Sequence, residues 1–280
     1  MLQPILITGA SGVLGRALVS TFTQAGASVR QAVRTREKAR PDVDFVRLDY
    51  TDPATIDPAI AGVQGLVLMA PPLDPDAPAK LGPAITRAKE AGVRHIVFVS
   101  ALGVNHNEQA PLRVVEHLVM DSGISYTILR PNFFMENFSE GFVAASIKAQ
   151  NAIFLAAGEG KTSFISVRDI AAAALAAVQK ELTGEFDLTG SEALDHAEAA
   201  RAIGEASGRP VTYHALTEEQ MVAGARQAGM PEPNIGYLAV LYSAVRAGYM
   251  AAITPDVQRL TGRKPTSFSE FAATNASRWQ

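Results

Sequence analysis

The chain contains no cysteine. That excludes disulfides, thiolate metal ligands and a cysteine nucleophile, and it accords with a cytoplasmic location. It has no excess of either charge: 25 Lys and Arg stand against 28 Asp and Glu, a net of −3. No nucleic-acid footprint and no basic membrane-binding face are therefore expected. Long hydrophobic runs are absent too. The alanine-rich stretch 170–178 is bounded by Arg168, Asp169 and Lys180, and nothing approaches the ~20 apolar residues of a membrane span. Histidines 95, 106, 117, 196 and 214 lack metal-ligand spacing, so no metal site is expected. The first residues lack a basic segment with a cleavage site, so the Asn-x-Ser matches at Asn137 and Asn275 read as chance.

What is present is a large potential core, with 48% hydrophobic and 19% charged residues, which argues against disorder. Near-continuous Val/Ile/Leu runs at 3–8, 27–33, 43–48, 65–70, 94–99 and 124–130 read as strands of a parallel sheet covered on both faces. Helical patterns at 13–25, 53–60, 77–91 and 110–122 alternate with them, and Gly26, Gly92 and Gly123 sit where helices should end. This predicts an α/β, Rossmann-like, doubly wound parallel sheet. Beyond residue 131 the spacing predicts a helix over 133–148, strands at 152–155 and 163–167, and a helix to 180 that Asp169 caps. A strand at 184–188, helices at 193–207 and 217–229 around a strand at 210–214, and a long helix at 234–251 follow. The expected domains are 1–150, binding a dinucleotide, and 151–280, a smaller, mostly helical substrate lobe interleaved with late strands. The apolar helix near 235–253 is compatible with a homodimer or with a cover over a cleft.

Residues 5–15 read Ile-Leu-Ile-Thr-Gly-Ala-Ser-Gly-Val-Leu-Gly. A glycine-rich turn between a buried strand and a helix exposes backbone N–H groups and the positive end of the helix dipole to a phosphate. Gly9 permits the tight turn, Gly12 the approach of a pyrophosphate and Gly15 the contact of helix on strand. Ser11, Val13 and Leu14 complete the turn. A structural glycine turn is the plainer alternative.

In dinucleotide folds an acid about 20 positions on binds the ribose 2′-hydroxyl. That acid is missing here: the second strand ends in Val33-Arg34, followed by Arg36 and Lys38. Arg34 and Lys38 suit a 2′-phosphate, hence NADPH (NADP+) over NADH, although a solvated basic segment would read the same. Asp49 and Tyr50 end the third strand, where they could meet an adenine or simply form a turn. Ala70, Pro71 and Pro72 end the fourth, and Ser100 ends the fifth, facing the nicotinamide half.

These residues, with Phe98-Val-Ser-Ala-Leu-Gly103, Asp121–Asn132 (ending Leu-Arg-Pro-Asn), Phe133–Ser139 and Ile165-Ser-Val-Arg-Asp-Ile170, resemble the NmrA-like group of atypical short-chain dehydrogenases. The resemblance covers most of residues 1–175 and is strongest to its quinone reductase and triphenylmethane-dye reductase branch. It implies NADP(H), a cleft under a small C-terminal lobe, and a nicotinamide pocket lined by Pro131, Asn132, Phe133 and Phe134. One departure matters. Typical short-chain dehydrogenases carry Tyr-x-x-x-Lys on the helix after the fifth strand, but residues 110–120 contain neither residue. Acceptors such as quinones, iminium ions and cationic dyes take hydride without a strong protein acid; activated enones are a further candidate class.

The resulting expectation is an NADPH-dependent reductase of a small conjugated acceptor. A non-catalytic NADP(H) sensor and a redox-neutral isomerase or cyclase are the alternatives. Ser100, Glu116 and His117 are the candidate catalytic groups, although a helical glutamate is often simply paired and a lone histidine is usually not catalytic. Phe134, Asn137 and Phe138 are the candidate substrate contacts, with core packing as the rival role for the phenylalanines.

Overall fold

The computed structural model describes residues 2–71 and 73–280, apart from the side chain of Phe142. The predicted site residue Pro72 lies outside them. The first half builds a sheet from β1 (Ile5–Ile7), β2 (Val29–Val33), β3 (Asp44–Arg47), β4 (Gly65–Met69), β5 (His95–Val99) and β6 (Ser125–Pro131). Between them run α1 (Val13–Gln24), α2 (Ile56–Ile60), α3 (Ala77–Glu90) and α4 (Pro111–Met120). After α5 (Phe142–Gln150) and β7 (Ala152–Leu155), the chain returns through α6 (Val167–Lys180) to add β8 (Gly184–Leu188) at the sheet edge.

The strand order is β3-β2-β1-β4-β5-β6-β8. β1 pairs in parallel with both β2 and β4, in the register Ile5↔Val29 and Ile5↔Gly65. The order therefore reverses at β1, which makes its carboxyl end the switch point where open α/β sheets bind ligands. Period-2 alternation sorts the core. Leu6, Leu66, Leu68, Ile96 and Phe98 join one cluster with Ile60 of α2, Leu81 and Ile85 of α3 and Val115 of α4. On another side α6 packs along α1, its buried alanines permitting close approach.

Two compact units emerge, each discontinuous in sequence. One comprises 1–131, 167–187 and 259–262; the other comprises 132–166, 188–258 and 263–280. The second contains β7 paired in parallel with β9 (Thr212–Ala215), and the helices α7 (His196–Ser207), α8 (Glu218–Gln227) and α9 (Glu232–Arg246). α10 (Asp256–Thr261) begins in the second unit and ends in the first, and α11 (Phe268–Asn275) belongs to the second.

Several expectations are corrected here. The helix over 133–148 is broken into a 3-10 turn at Met135–Phe138 and α5. Phe134 is extended and bridges Ile165, which withholds its backbone from a helix. At 163–167 there is no strand: Ile165 makes that isolated bridge, and Thr162 bridges Leu194. Asp169 is not the cap of α6 but stands inside its first turn, where a carboxylate still complements the helix dipole. Asp195 does cap α7, in a reciprocal box with Glu198. α9 stops at Arg246 because Gly248 takes the left-handed conformation (φ +81°). No helix among the described residues is long and apolar enough to cross a membrane.

Candidate functional site

The turn after β1 is built around Thr8 and three glycines. The Thr8 amide donates to Val67 O at 3.0 Å, and its hydroxyl oxygen accepts from the Met69 amide at 2.8 Å, fixing the β1 end against β4. Gly9 turns the chain with φ +59°, a conformation only glycine adopts freely. A Cβ on Gly15 would lie 2.1 Å from Gly9 O, whereas one on Gly12 would meet that oxygen at an ordinary 3.4 Å. Gly15 is therefore required for helix-on-turn contact, while Gly12 is free of any internal packing demand. Gly12 is also the N-cap of α1 and offers no capping side chain. The first-turn amides of Val13 and Leu14 thus remain available to an anion. Ser11 shapes the turn through its carbonyl, which accepts from Arg16 at 2.9 Å.

The ends of β2 and β3 carry the next candidates. Arg34 and Lys38 are exposed, and no ion pair is recorded for either among the described residues. Their basic neighbours are engaged: Arg36 lies 4.8 Å over the Phe45 ring, and Arg40 forms a fork with Asp42. Asp49 accepts from the amide and hydroxyl of Thr51, which hold its carboxyl below the usual range; the structure thus gives it a turn role. Tyr50 packs its ring against the core cluster, donates to Met69 O at 3.3 Å, and has its phenol raised by burial. Ala70 and Pro71 follow β4, half-buried.

At the ends of β5 and β6 the structure brings Ser100 and Glu116 together and leaves His117 apart. Glu116, on α4, is fully buried (0% exposed). Arg130 of β6 grips it with two bonds, 2.8 and 2.7 Å, and Arg113 adds a third at 2.9 Å. Burial pushes the Glu116 carboxyl up, but these donors outweigh it, so its pKa falls below the ordinary value. Arg130 also pairs with Glu185 of β8. A carboxylate saturated in this way orients its neighbours and is poorly placed to accept a proton. Ser100, 6% exposed, lies close enough to lower the Glu116 pKa, yet its hydroxyl makes no well-formed hydrogen bond. A buried hydroxyl without a partner is uncommon. His117 turns to the surface, where it pairs with Glu108 at 2.6 Å. Arg130 was not singled out from sequence; the signal was a charged residue inside the apolar run Ile128-Leu129-Arg130.

Pro131 ends β6, its carbonyl accepting from Leu102 N. In the second unit, the Asn132 amide nitrogen donates to Ser163 Oγ and Met250 O, both at 2.8 Å, and its oxygen accepts from Phe133 N at 2.9 Å. Asn132 braces the loop that presents Phe133, Phe134 and Asn137, all half-buried. Phe138 is not part of that half-buried set. Its ring is 2% exposed and sits edge-on to Phe164 and Phe268 at 5.1 and 5.3 Å, a core position. No cluster of metal-ligating residues occurs among the described residues.

The model of the NmrA-like family matches residues 1–272. The chain belongs to the NmrA-like family. Among relatives of this NmrA-like chain, an NAD(P)H azoreductase of Xenophilus azovorans is 34% identical over 285 residues, covering 98% of each chain. The solved NADPH-dependent quinone oxidoreductase of Escherichia coli, complexed with NADPH, is 26% identical with a TM-score of 0.83, covering 97% of this chain and 99% of that one. The triphenylmethane reductase of Citrobacter sp., complexed with NADP(H), is 25% identical with a TM-score of 0.83, covering 98% and 100%.

Proposed function

We propose that this NmrA-like chain is an NADPH-dependent reductase whose hydride acceptor is a small, flat, conjugated molecule: a quinone, an azo or cationic dye, an iminium ion or an enone. The observation that carries the reading is the uncapped first turn of α1 beyond β1, with two uncommitted cations, Arg34 and Lys38, at the next strand end. The residues fit a dinucleotide: the glycine turn leaves no Cβ where a pyrophosphate would rest, and the position after Val33 holds Arg34 rather than an acid that would select a ribose 2′-hydroxyl.

Nucleotide binding is assigned to the first unit and acceptor recognition to the second. When bound, NADPH supplies hydride from its dihydronicotinamide. The Val13 and Leu14 amides hold the pyrophosphate, Arg34 and Lys38 the 2′-phosphate, and Ser100 offers its hydroxyl to the nicotinamide half. Glu116 and Arg130 are positioning residues that fix the β5 and β6 ends. With no Tyr-Lys pair on α4, the proton that completes reduction comes from water, which suits electrophilic acceptors, and proximity does most of the catalytic work.

The test follows NADPH consumption against quinones, azo and cationic dyes, cyclic imines and enones, with nucleotide binding titrated in parallel. Turnover with at least one acceptor class is expected. Tight binding without consumption on any acceptor would overturn the reductase in favour of a regulatory or redox-neutral role.

A further inference from the structure

Tyr242 lies on α9 and is 4% exposed. Its ring meets Phe133 at 5.9 Å, tilted by 52°, and His196 at 6.2 Å. Half-buried tyrosines elsewhere anchor their hydroxyls: Tyr50 on Met69 O and Tyr213 on Leu155 O at 3.1 Å. The Tyr242 hydroxyl makes no hydrogen bond among the described residues. The residue keeps 4% of its surface exposed, so its burial is not complete. Burial raises its phenol well above the ordinary value, which keeps it a hydrogen-bond donor throughout the physiological range. A tyrosine with its ring packed and its donor uncommitted is suited to a ligand with one apolar and one polar end.

Phe133 is the other half of the pair. It stands half-buried on a backbone that Asn132 fixes through Ser163 and Met250, and its ring rests against Tyr242. A half-buried aromatic beside an uncommitted donor matches a flat conjugated ring bearing an oxygen.

We propose that Tyr242 is a specificity-determining residue, its hydroxyl donating a hydrogen bond to the carbonyl oxygen of a quinone or enone packed against Phe133. This rests on the reductase reading above. A donor left unpaired discriminates against acceptors that lack the oxygen, because the hydroxyl would be covered without compensation. The residue thus selects among acceptors and leaves nucleotide binding untouched.

The experiment compares the wild type, Tyr242→Phe and Phe133→Leu with NADPH and two acceptors: 1,4-naphthoquinone, and a cationic triphenylmethane dye whose hydride-accepting carbon bears no heteroatom. Tyr242→Phe is expected to lose about tenfold in kcat/KM on the naphthoquinone, the worth of one hydrogen bond. On the dye it should not fall, and should rise as the covered, unpaired hydroxyl is removed, while NADPH affinity should stay within about twofold. Phe133→Leu is expected to weaken both acceptors. Equal losses on both acceptors in Tyr242→Phe, or none on the naphthoquinone, overturn the assignment while the reductase stands. Unchanged kinetics in Phe133→Leu overturn the packing half. A wild type that binds NADPH but reduces neither acceptor overturns the assignment together with the reading beneath it.

Discussion

The indole N–H of Trp279 donates to the carbonyl oxygen of Phe138 at 2.7 Å, across 141 positions of sequence. Trp279 is 0% exposed, is the chain's single tryptophan, and packs edge-on to Phe271. Its own carbonyl accepts from Arg209. The 3-10 turn Met135–Phe138 is therefore held by a residue 141 positions further along the chain. Trp279→Phe keeps most of the apolar surface and strands the Phe138 carbonyl. A loss of about 1–3 kcal/mol is expected, read as a lower urea midpoint at unchanged slope. A midpoint equal to wild type would show that the bond contributes nothing.

Gly12 and Gly15 should separate stability from binding. A Cβ on Gly15 would stand 2.1 Å from Gly9 O, and one on Gly12 3.4 Å from it. Gly15→Ala is expected to destabilise the fold or prevent its recovery in soluble form. Gly12→Ala should fold with a melting temperature near wild type and lose about tenfold or more in NADPH affinity, because its methyl group occupies the approach to the phosphates. Thermal melts and nucleotide titrations of the two variants decide this, and equal behaviour would refute the division of roles.

Arg34→Ala should weaken NADPH by about tenfold and NADH by much less, since a charge-assisted bond to the 2′-phosphate is lost and the ribose hydroxyl of NADH makes none. Lys38→Ala should act in the same direction and more weakly, as a flexible point charge. The quantity to follow is the ratio of the two dissociation constants in each variant. A ratio that does not move would remove these cations from the cofactor site.

His196 makes stability fall with acid. Burial pushes its imidazole down to about 4, in a cage of Phe138, Phe164, Tyr213 and Tyr242, whereas an unfolded histidine titrates near 6.5. Between these values the unfolded chain binds the extra proton, so stability is full above about pH 6.5 and declines as pH falls toward 4. The decline amounts to about 3 kcal/mol for a shift of that size. Buried His95, also lowered by burial, adds to the slope. Urea midpoints at stepped pH should fall across this window, and His196→Phe should flatten part of the fall. A slope unchanged in that variant would place the effect elsewhere.

The strands and helices of residues 3–131 were legible because period-2 and period-3.6 hydrophobic patterns are local and the glycine punctuation is dense. The glycine turn was legible for the same reason, since Gly9 needs its positive φ and Gly15 its missing Cβ. The loop after Pro131 was not. Met135, Phe138 and Val143 have a helical spacing, but the bridge of Phe134 to Ile165 overrides it, and no local pattern announces a pairing over thirty residues. Glu116 and His117 are adjacent in sequence, yet one side chain is buried on Arg130 and the other is exposed beside Glu108, a difference set by which face α4 packs.

By itself, then, the sequence determined the α/β architecture, the position of the glycine turn, the absence of an acid after β2, and the lack of a Tyr-Lys pair on α4. Each of these depends on residue type at short range. Only the tertiary structure decided that Arg130 would neutralise Glu116, that Asn132 would brace its own loop, that Phe138 would be core, and that Tyr242 would meet Phe133 with its hydroxyl uncommitted. Those outcomes come from contacts between segments far apart in the chain, where packing and the satisfaction of buried polar groups outweigh any local preference.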